Sequence, residues 1–216
     1  VALTLLVFAR PPEPGRCKTH LIPQLGARGA AWVQMRLVEH LLALGSQLRS
    51  ENRATPEANL RLVLSCSPST AHPFFQRCAR RYGAQLKRQA MGDLGKKMRR
   101  ALAAELSHGP VLLVGSDAFW LELSDLHAAA HALRTADYHL TPALDGGYVQ
   151  FAARQPLPDL RGIAWSSGRE LKQTLERLGR SGRISLAQHH RGDFDTPSDW
   201  LRARRAGRIA PLIHQR

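Results

Sequence analysis

Residues 3–21 read LTLLVFARPPEPGRCKTHL. The first six form an unbroken apolar run, the pattern of a strand buried on both faces. Pro11, Pro12, Pro14 and Gly15 then exclude both strand and helix, so the chain leaves the strand through a shaped loop. Open α/β sheets bind ligands beyond the carboxyl ends of their strands. The loop at this edge carries Arg10, Arg16, Lys18 and His20, which points to a ligand bearing phosphate.

Working outward, strand and helix patterns alternate. Trp32, Met35, Leu37, Val38, Leu41 and Leu42 fall at helical spacing and predict an amphipathic helix over 28–48. A polar loop, RSENRATPEAN (49–59), leads to a second strand, LRLVLSC. A helix begins within PSTAHPFFQRCARRY, another covers 92–106, and GPVLLVGSD reads as a third buried strand. Ser124 is expected to open a helix running through LHAAAHALR. ADYHLTPA and GGYVQFAAR read as two strands around the turn LDGG. Ser167 to Glu170 and Thr196 to Asp199 match capping boxes, the second with Pro197 at the first helical position. Strands joined by crossover helices predict an α/β fold, a doubly wound and mostly parallel sheet in a single domain spanning 1–216. The DGGY region is the expected antiparallel insertion.

The totals bound the function class. The chain has 216 residues, 44% hydrophobic and 22% charged, ordinary for a globular protein. No apolar run approaches the ~20 residues that span a bilayer, and VALTLLVFARPP reads as a strand, not a signal peptide. Cys17, Cys66 and Cys78 form no CxxC pair, which favours a reducing cytoplasm and argues against structural zinc. The net charge of +14 is the unusual value, with nine basic residues against Asp93 alone between Arg77 and Arg100. No aromatic platform is interleaved with these residues, so nucleic acid is not the expected partner, and a solvated basic surface is the plainer account.

Four clusters carry possible chemistry. In the opening loop, Gly15 allows backbone amides to cradle phosphate, while exposed Lys18 supplies a point charge and Arg16 a fork; the P-loop spacing is absent. Asp117, just past an apolar strand, can hold Mg²⁺ or Mn²⁺ or can cap the next segment. In Leu144-Asp-Gly-Gly-Tyr148, Gly146 and Gly147 beside Asp145 suit either a hairpin turn or close approach of a substrate to the backbone, with Tyr148 adjoining. Asp193-Phe-Asp195 is a D-x-D pair in which Asp195 lies just outside the following cap. Asp193 is assigned to solvent, and His189 and His190 to the surface.

In this order the clusters resemble a bacterial transferase family of the nucleotide-diphospho-sugar transferase superfamily, with the GT-A type fold, labelled arsenosugar-biosynthesis-type glycosyltransferase. The resemblance rests on FARPPEPGRCKTHLIPQLG, GDLGKKM, VGSD, ALDGGY and DFDTPSDW, and the opening loop is also similar to that of phospholactate guanylyltransferase. It implies a nucleotide over the first strand, with Gly15, Arg16 and Lys18 at phosphate or base. It further implies a divalent metal (Mg²⁺ or Mn²⁺) on Asp117, Asp195 as its second ligand, and Asp145 facing acceptor or sugar. The implied reaction is glycosyl transfer from a nucleotide-sugar to a small acceptor. Nucleotidylyl transfer from a nucleoside triphosphate to a small phosphorylated or acidic acceptor is the alternative, and a non-catalytic nucleotide- or nucleic-acid-binding module is a third class. Two positions depart from the family pattern: His20 replaces an arginine, and Ala118-Phe119 replaces Cys-Pro.

Overall fold

The computed structural model describes residues 3–51 and 60–208. The polar loop predicted over 49–59 therefore lies largely outside the described residues. Among the described residues seven strands form one sheet: β1 (Leu3–Ala9), β2 (Leu60–Cys66), β3 (Gln85–Arg88), β4 (Val111–Gly115), β5 (Tyr138–Pro142), β6 (Tyr148–Ala153) and β7 (Ile184–Leu186). Their order is β3-β2-β1-β4-β6-β5-β7. β1 pairs in parallel with both β2 and β4, and β5 with β7, whereas β6 runs antiparallel to both its neighbours. The expected insertion at DGGY is this reversed strand.

Among the described residues six α-helices cover the two faces: α1 (Ile22–Glu51), α2 (Pro73–Tyr82), α3 (Leu94–Leu106), α4 (Leu123–Ala132), α5 (Glu170–Leu178) and α6 (Pro197–Arg205). Alternation along β1 explains its unbroken apolar run. Leu5, Val7 and Ala9 pack with α1, α2 and α4, while Leu6 turns to the opposite face with Met98 and Leu102 of α3 and Leu178 of α5. A side chain is buried on each side, so both parities are apolar except at Thr4, which is buried near the start of the strand.

Several boundaries differ from the sequence reading. α1 contains a break at Gly26 (φ 68°), and the segment beyond it is the predicted helix. β3 and β7 escaped prediction because both are short edge strands, of four and three residues with half-exposed or exposed side chains, too short for an apolar alternation to register. α4 is capped by Glu122, with the Asp125 carboxylate accepting from the Glu122 amide at 2.7 Å, so Ser124 does not open it. The box at Ser167 closes only in part. Glu170 accepts from the Ser167 amide at 2.6 Å, but the Ser167 hydroxyl donates to the Ala164 carbonyl, and α5 starts at Glu170. The Thr196–Asp199 box is present in both directions, with Pro197 at its expected place.

Candidate active site

A cleft of about 230 Å³ opens at the carboxyl edge of the sheet. Asp117, Asp145, Asp193, Asp195 and Glu170 contribute its acids, and Leu94, Tyr148 and Trp165 its apolar wall. Asp117 follows β4, Asp145 sits in the β5–β6 turn, and Asp193 and Asp195 precede α6. The long crossover thus returns Asp195 to the edge where Asp117 emerges.

The two carboxylates are set by a shared backbone junction. The Asp117 carbonyl accepts from the amides of both Phe119 (2.8 Å) and Phe194 (2.9 Å). Behind it the rings of Phe119 and Phe194 meet edge to face at 5.4 Å, within a cluster that includes Leu21, Leu37 and Trp200. Ala118 and Phe119, which stand where the resembled pattern has Cys-Pro, are both buried: Ala118 lines the cleft and Phe119 packs beneath it.

Lys18 completes the junction. Its Nζ lies 2.5 Å from Asp117 Oδ1 and 2.8 Å from Asp195 Oδ1, and it also donates to the Phe194 carbonyl. The side chain is only 5% exposed, whereas those of Asp117 and Asp195 are 46% and 49% exposed. The expectation of an exposed loop lysine is therefore corrected: the Pro-rich loop turns the residue inward. Its backbone is left-handed (φ 44°), a conformation that costs energy in a non-glycine residue and recurs where function constrains the chain. Ser166, the other non-glycine residue with positive φ (57°) among those described, lines the cleft, whereas Lys18 lies behind the carboxylates that do. Burial works against the Lys18 charge, but the two carboxylates outweigh it and raise its pKa above the ordinary lysine value. Burial likewise opposes ionisation of Asp195, yet Lys18 holds its pKa below the usual range.

Asp193 behaves differently and is not a solvent residue. Burial, followed by contact with Asp195 and the charge of Asp145, pushes its carboxyl up to about 6. The segment thus holds one carboxylate kept ionised by a lysine and a neighbour that retains its proton to a higher pH. Sequence spacing alone could not separate them; the alternation of a D-x-D pair around buried Phe194 was the available signal.

The remaining expected residues divide. Gly147 and Tyr148 line the cleft with Asp145, whose Oδ1 accepts from the Gly147 amide at 2.9 Å. Burial pushes the Tyr148 phenol up to about 12, so it stays protonated. A Cβ on Gly146 (φ 91°) would stand 2.2 Å from the Gly168 carbonyl oxygen, so the group that approaches this glycine is protein backbone. Arg10, Gly15 and Arg16 lie outside the cleft lining, and Arg16 is exposed and pairs with Glu13 at 3.5 Å. His20 is exposed and near enough to Asp195 to act on its carboxylate. His189 is not a bare surface residue: it and Arg191 pair with buried Asp125, at 2.9 and 3.0 Å.

The profile of the family DUF2064, described as an uncharacterized protein conserved in bacteria, matches residues 51–167, more than half of the chain. The chain belongs to the DUF2064 family. No curated protein matches it. Among solved structures, this DUF2064 member is similar to a candidate nucleotide-diphospho-sugar transferase from Desulfovibrio desulfuricans, with 23% identity and a TM-score of 0.77, over 98% of this chain and 90% of that one. It is also similar to 4-diphosphocytidyl-2C-methyl-D-erythritol synthase from Anaerococcus prevotii (10% identity, TM-score 0.57, 96% and 98% of the chains). A third likeness is to CMP:2-keto-3-deoxy-manno-octonic acid synthetase complexed with CTP (11% identity, TM-score 0.51, 97% and 100%). The fold is that of the nucleotide-diphospho-sugar transferases, as the sequence resemblance implied. Among the described residues no helix is long and apolar enough to cross a membrane.

Proposed function

We propose that this chain is a divalent-metal-dependent transferase that uses a nucleotide-sugar donor and passes the glycosyl group to a small acceptor. The observation that carries the reading is the convergence of Asp117 and Asp195 on one cation at the carboxyl edge of β1 and β4. Two oxygens from carboxylates and one from the Phe194 carbonyl surround the Lys18 ammonium. Hard oxygen donors around a positive point also suit Mg²⁺ or Mn²⁺. Among the described residues no group of three or more His, Cys, Asp or Glu side chains could hold a metal alone. That agrees with Mg²⁺ practice, in which one or two carboxylates share the ion with substrate phosphates and water.

Asp117 and Asp195 would hold the ion, which when bound supplies charge neutralisation to a diphosphate. The residues of the chain then have separate tasks. Three oxygens engage Lys18 here; once relieved of the carboxylates, its ammonium pairs with phosphate oxygens instead. Asp145 and the Tyr148 ring face the space left for sugar or acceptor, while the Tyr148 hydroxyl turns inward and donates to Met98 Sδ at 3.6 Å.

Nucleotidylyl transfer from a nucleoside triphosphate is the second reading. It is favoured by the likeness to a synthetase complexed with CTP and by a lysine able to balance charge at an attacked phosphate. The chain is tested by incubation with Mn²⁺ and a panel of nucleoside triphosphates and nucleotide-sugars. Release of nucleoside diphosphate supports the first reading and pyrophosphate the second. A panel in which no nucleotide changes the melting temperature, with or without Mn²⁺, rejects both.

A further inference from the structure

Asp117 and Asp195 share Lys18, but Asp145, Asp193 and Glu170 also line the cleft. Among the described residues none of these last three forms an ion pair. Glu170 is nevertheless only 8% exposed, and a buried carboxylate is costly unless opposite charge stands near it. Its Oε1 accepts from the Ser167 amide at 2.6 Å. Among the described residues Oε2 accepts from no donor, yet it keeps contact with solvent. The described lining of the cleft holds no lysine, arginine or histidine to balance these charges.

The apolar wall has the same demand. A Cβ on Gly95 would stand 3.1 Å from Cζ2 of Trp165, so the half-buried indole packs on the backbone of α3. Leu94 and the Tyr148 ring continue this wall. Arginines lie over the rings of Tyr82, Trp120 and Trp200, but among the described residues no cation lies over Trp165 or Tyr148. An indole face attracts cations through its quadrupole. Ring and carboxylates thus favour positive charge, and the protein supplies neither with it.

A second metal ion does not meet that demand, since among the described residues no three such side chains form a group able to hold one. Carboxylates beside an aromatic and aliphatic wall suit an organic ammonium, whose charge sits on a body with apolar surface. An anionic acceptor would instead meet like charges. We propose that the cleft takes a small hydroxyl-bearing amine as acceptor, its ammonium held among Asp145, Glu170 and the Trp165 ring. This rests on the reading of the cleft as a glycosyl-transfer site. The acceptor oxygen then bonds to the anomeric carbon as that carbon's bond to the diphosphate oxygen breaks. The electron pair leaves with the nucleoside diphosphate, and the hydroxyl proton passes to solvent.

Two sets of probes that vary charge on one skeleton test the selection by calorimetry: glucosamine, glucose and glucuronate, and ethanolamine, ethylene glycol and glycolate. Titrations at pH about 7 keep the amines largely protonated. They are run with and without Mn²⁺ and a nucleoside diphosphate. Each amine should bind at least about tenfold more tightly than its neutral counterpart, and each acid more weakly. The net charge of +14 disfavours diffuse adsorption of a cation, so such a preference would arise in the cleft.

Glu170→Gln keeps the oxygen that accepts from Ser167, so the fold should persist. Amine affinity should fall about tenfold in this variant while that of glucose stays unchanged. Asp145→Asn, whose Oδ1 still accepts from Gly147, gives a second reading should Glu170→Gln lower the melting temperature. Trp165→Leu should weaken amine binding about threefold. Equal affinity across the three charge forms, preference for an acid, or absence of amine binding overturns the proposal. An amine preference that both carboxylate variants leave intact also overturns it. Nucleotide-induced thermal shifts and the released product test the transferase reading separately. A nucleotide response without amine binding rejects the amine alone, whereas amine binding without any nucleotide response rejects the transferase reading and leaves an amine-binding cleft.

Discussion

The Nζ of Lys18 lies 2.5 Å from Oδ1 of Asp117, although the two residues leave the sheet from different strands. Asp195 closes the other side of this ammonium. Removal of a buried charge partner typically costs 3–5 kcal/mol, but water can reach both half-exposed carboxylates and recover part of that. Lys18→Ala is therefore expected to lower stability by about 2 kcal/mol in urea or thermal unfolding. Mn²⁺ should then raise the melting temperature of the variant by about 3–5 °C more than that of the parent, because the vacated carboxylates bind it without competition. An equal response in both proteins would show that Lys18 and the ion do not share the site.

Asp117→Asn keeps the size of the side chain and leaves the backbone carbonyl that accepts from Phe119 and Phe194. The fold should persist, and turnover and the Mn²⁺-dependent part of any nucleotide-induced thermal shift should disappear. The measurement is a thermal-shift titration with and without Mn²⁺, where an unaltered Mn²⁺ dependence rejects Asp117 as a ligand.

Asp193 gives a pH signature in the metal-free chain. Its carboxyl is raised from the ordinary 3.8 to about 6, so the folded state holds the proton more firmly than the unfolded one. Its contribution is fully present below the unfolded value and is lost as pH rises through the folded value. Asp193→Asn should thus stabilise the chain at pH 7.5, by about 1 kcal/mol once solvent screening is allowed for, and bring no gain near pH 3.5. Melting curves at the two pH values check it, and a gain confined to the acid side would refute the assignment.

Gly146→Ala tests the turn. The new Cβ would meet the Gly168 carbonyl oxygen at 2.2 Å, in a backbone conformation (φ 91°) that alanine rarely adopts. A loss above about 2 kcal/mol is expected, from strain and contact together. Gly147→Ala, with its nearest contact 3.2 Å away at the Asp145 carboxylate, should be milder in stability and should instead disturb the Asp145 orientation. Parallel denaturation curves distinguish the two.

The central strands were legible because β1 and β4 bury both faces and so are apolar at every position but Thr4 and the terminal Gly115. The position of Asp117 followed from that, as did the Thr196 cap. The edge strands β3 and β7 were not legible, since four and three half-exposed or exposed residues are too few to display an alternation. The inward turn of Lys18 was hidden for a different reason. Its burial depends on Asp117, Phe194 and Asp195, which are distant in the chain, and a loop rich in proline announces only that it is neither helix nor strand. The distinct behaviour of Asp193 and Asp195 was equally invisible, because it arises from which carboxylate the lysine reaches.

The Asp117 carbonyl joined to the Phe194 amide has a consequence for biosynthesis. A ribosome delivers Lys18 first, Asp117 much later, and Phe194 with Asp195 later still. Until that last segment emerges, Lys18 has one carboxylate in reach, and the aromatic packing under Asp117 lacks Phe194 and Trp200. The paired carboxylates thus come into being only as α6 docks, after β1 to β7 have all been made.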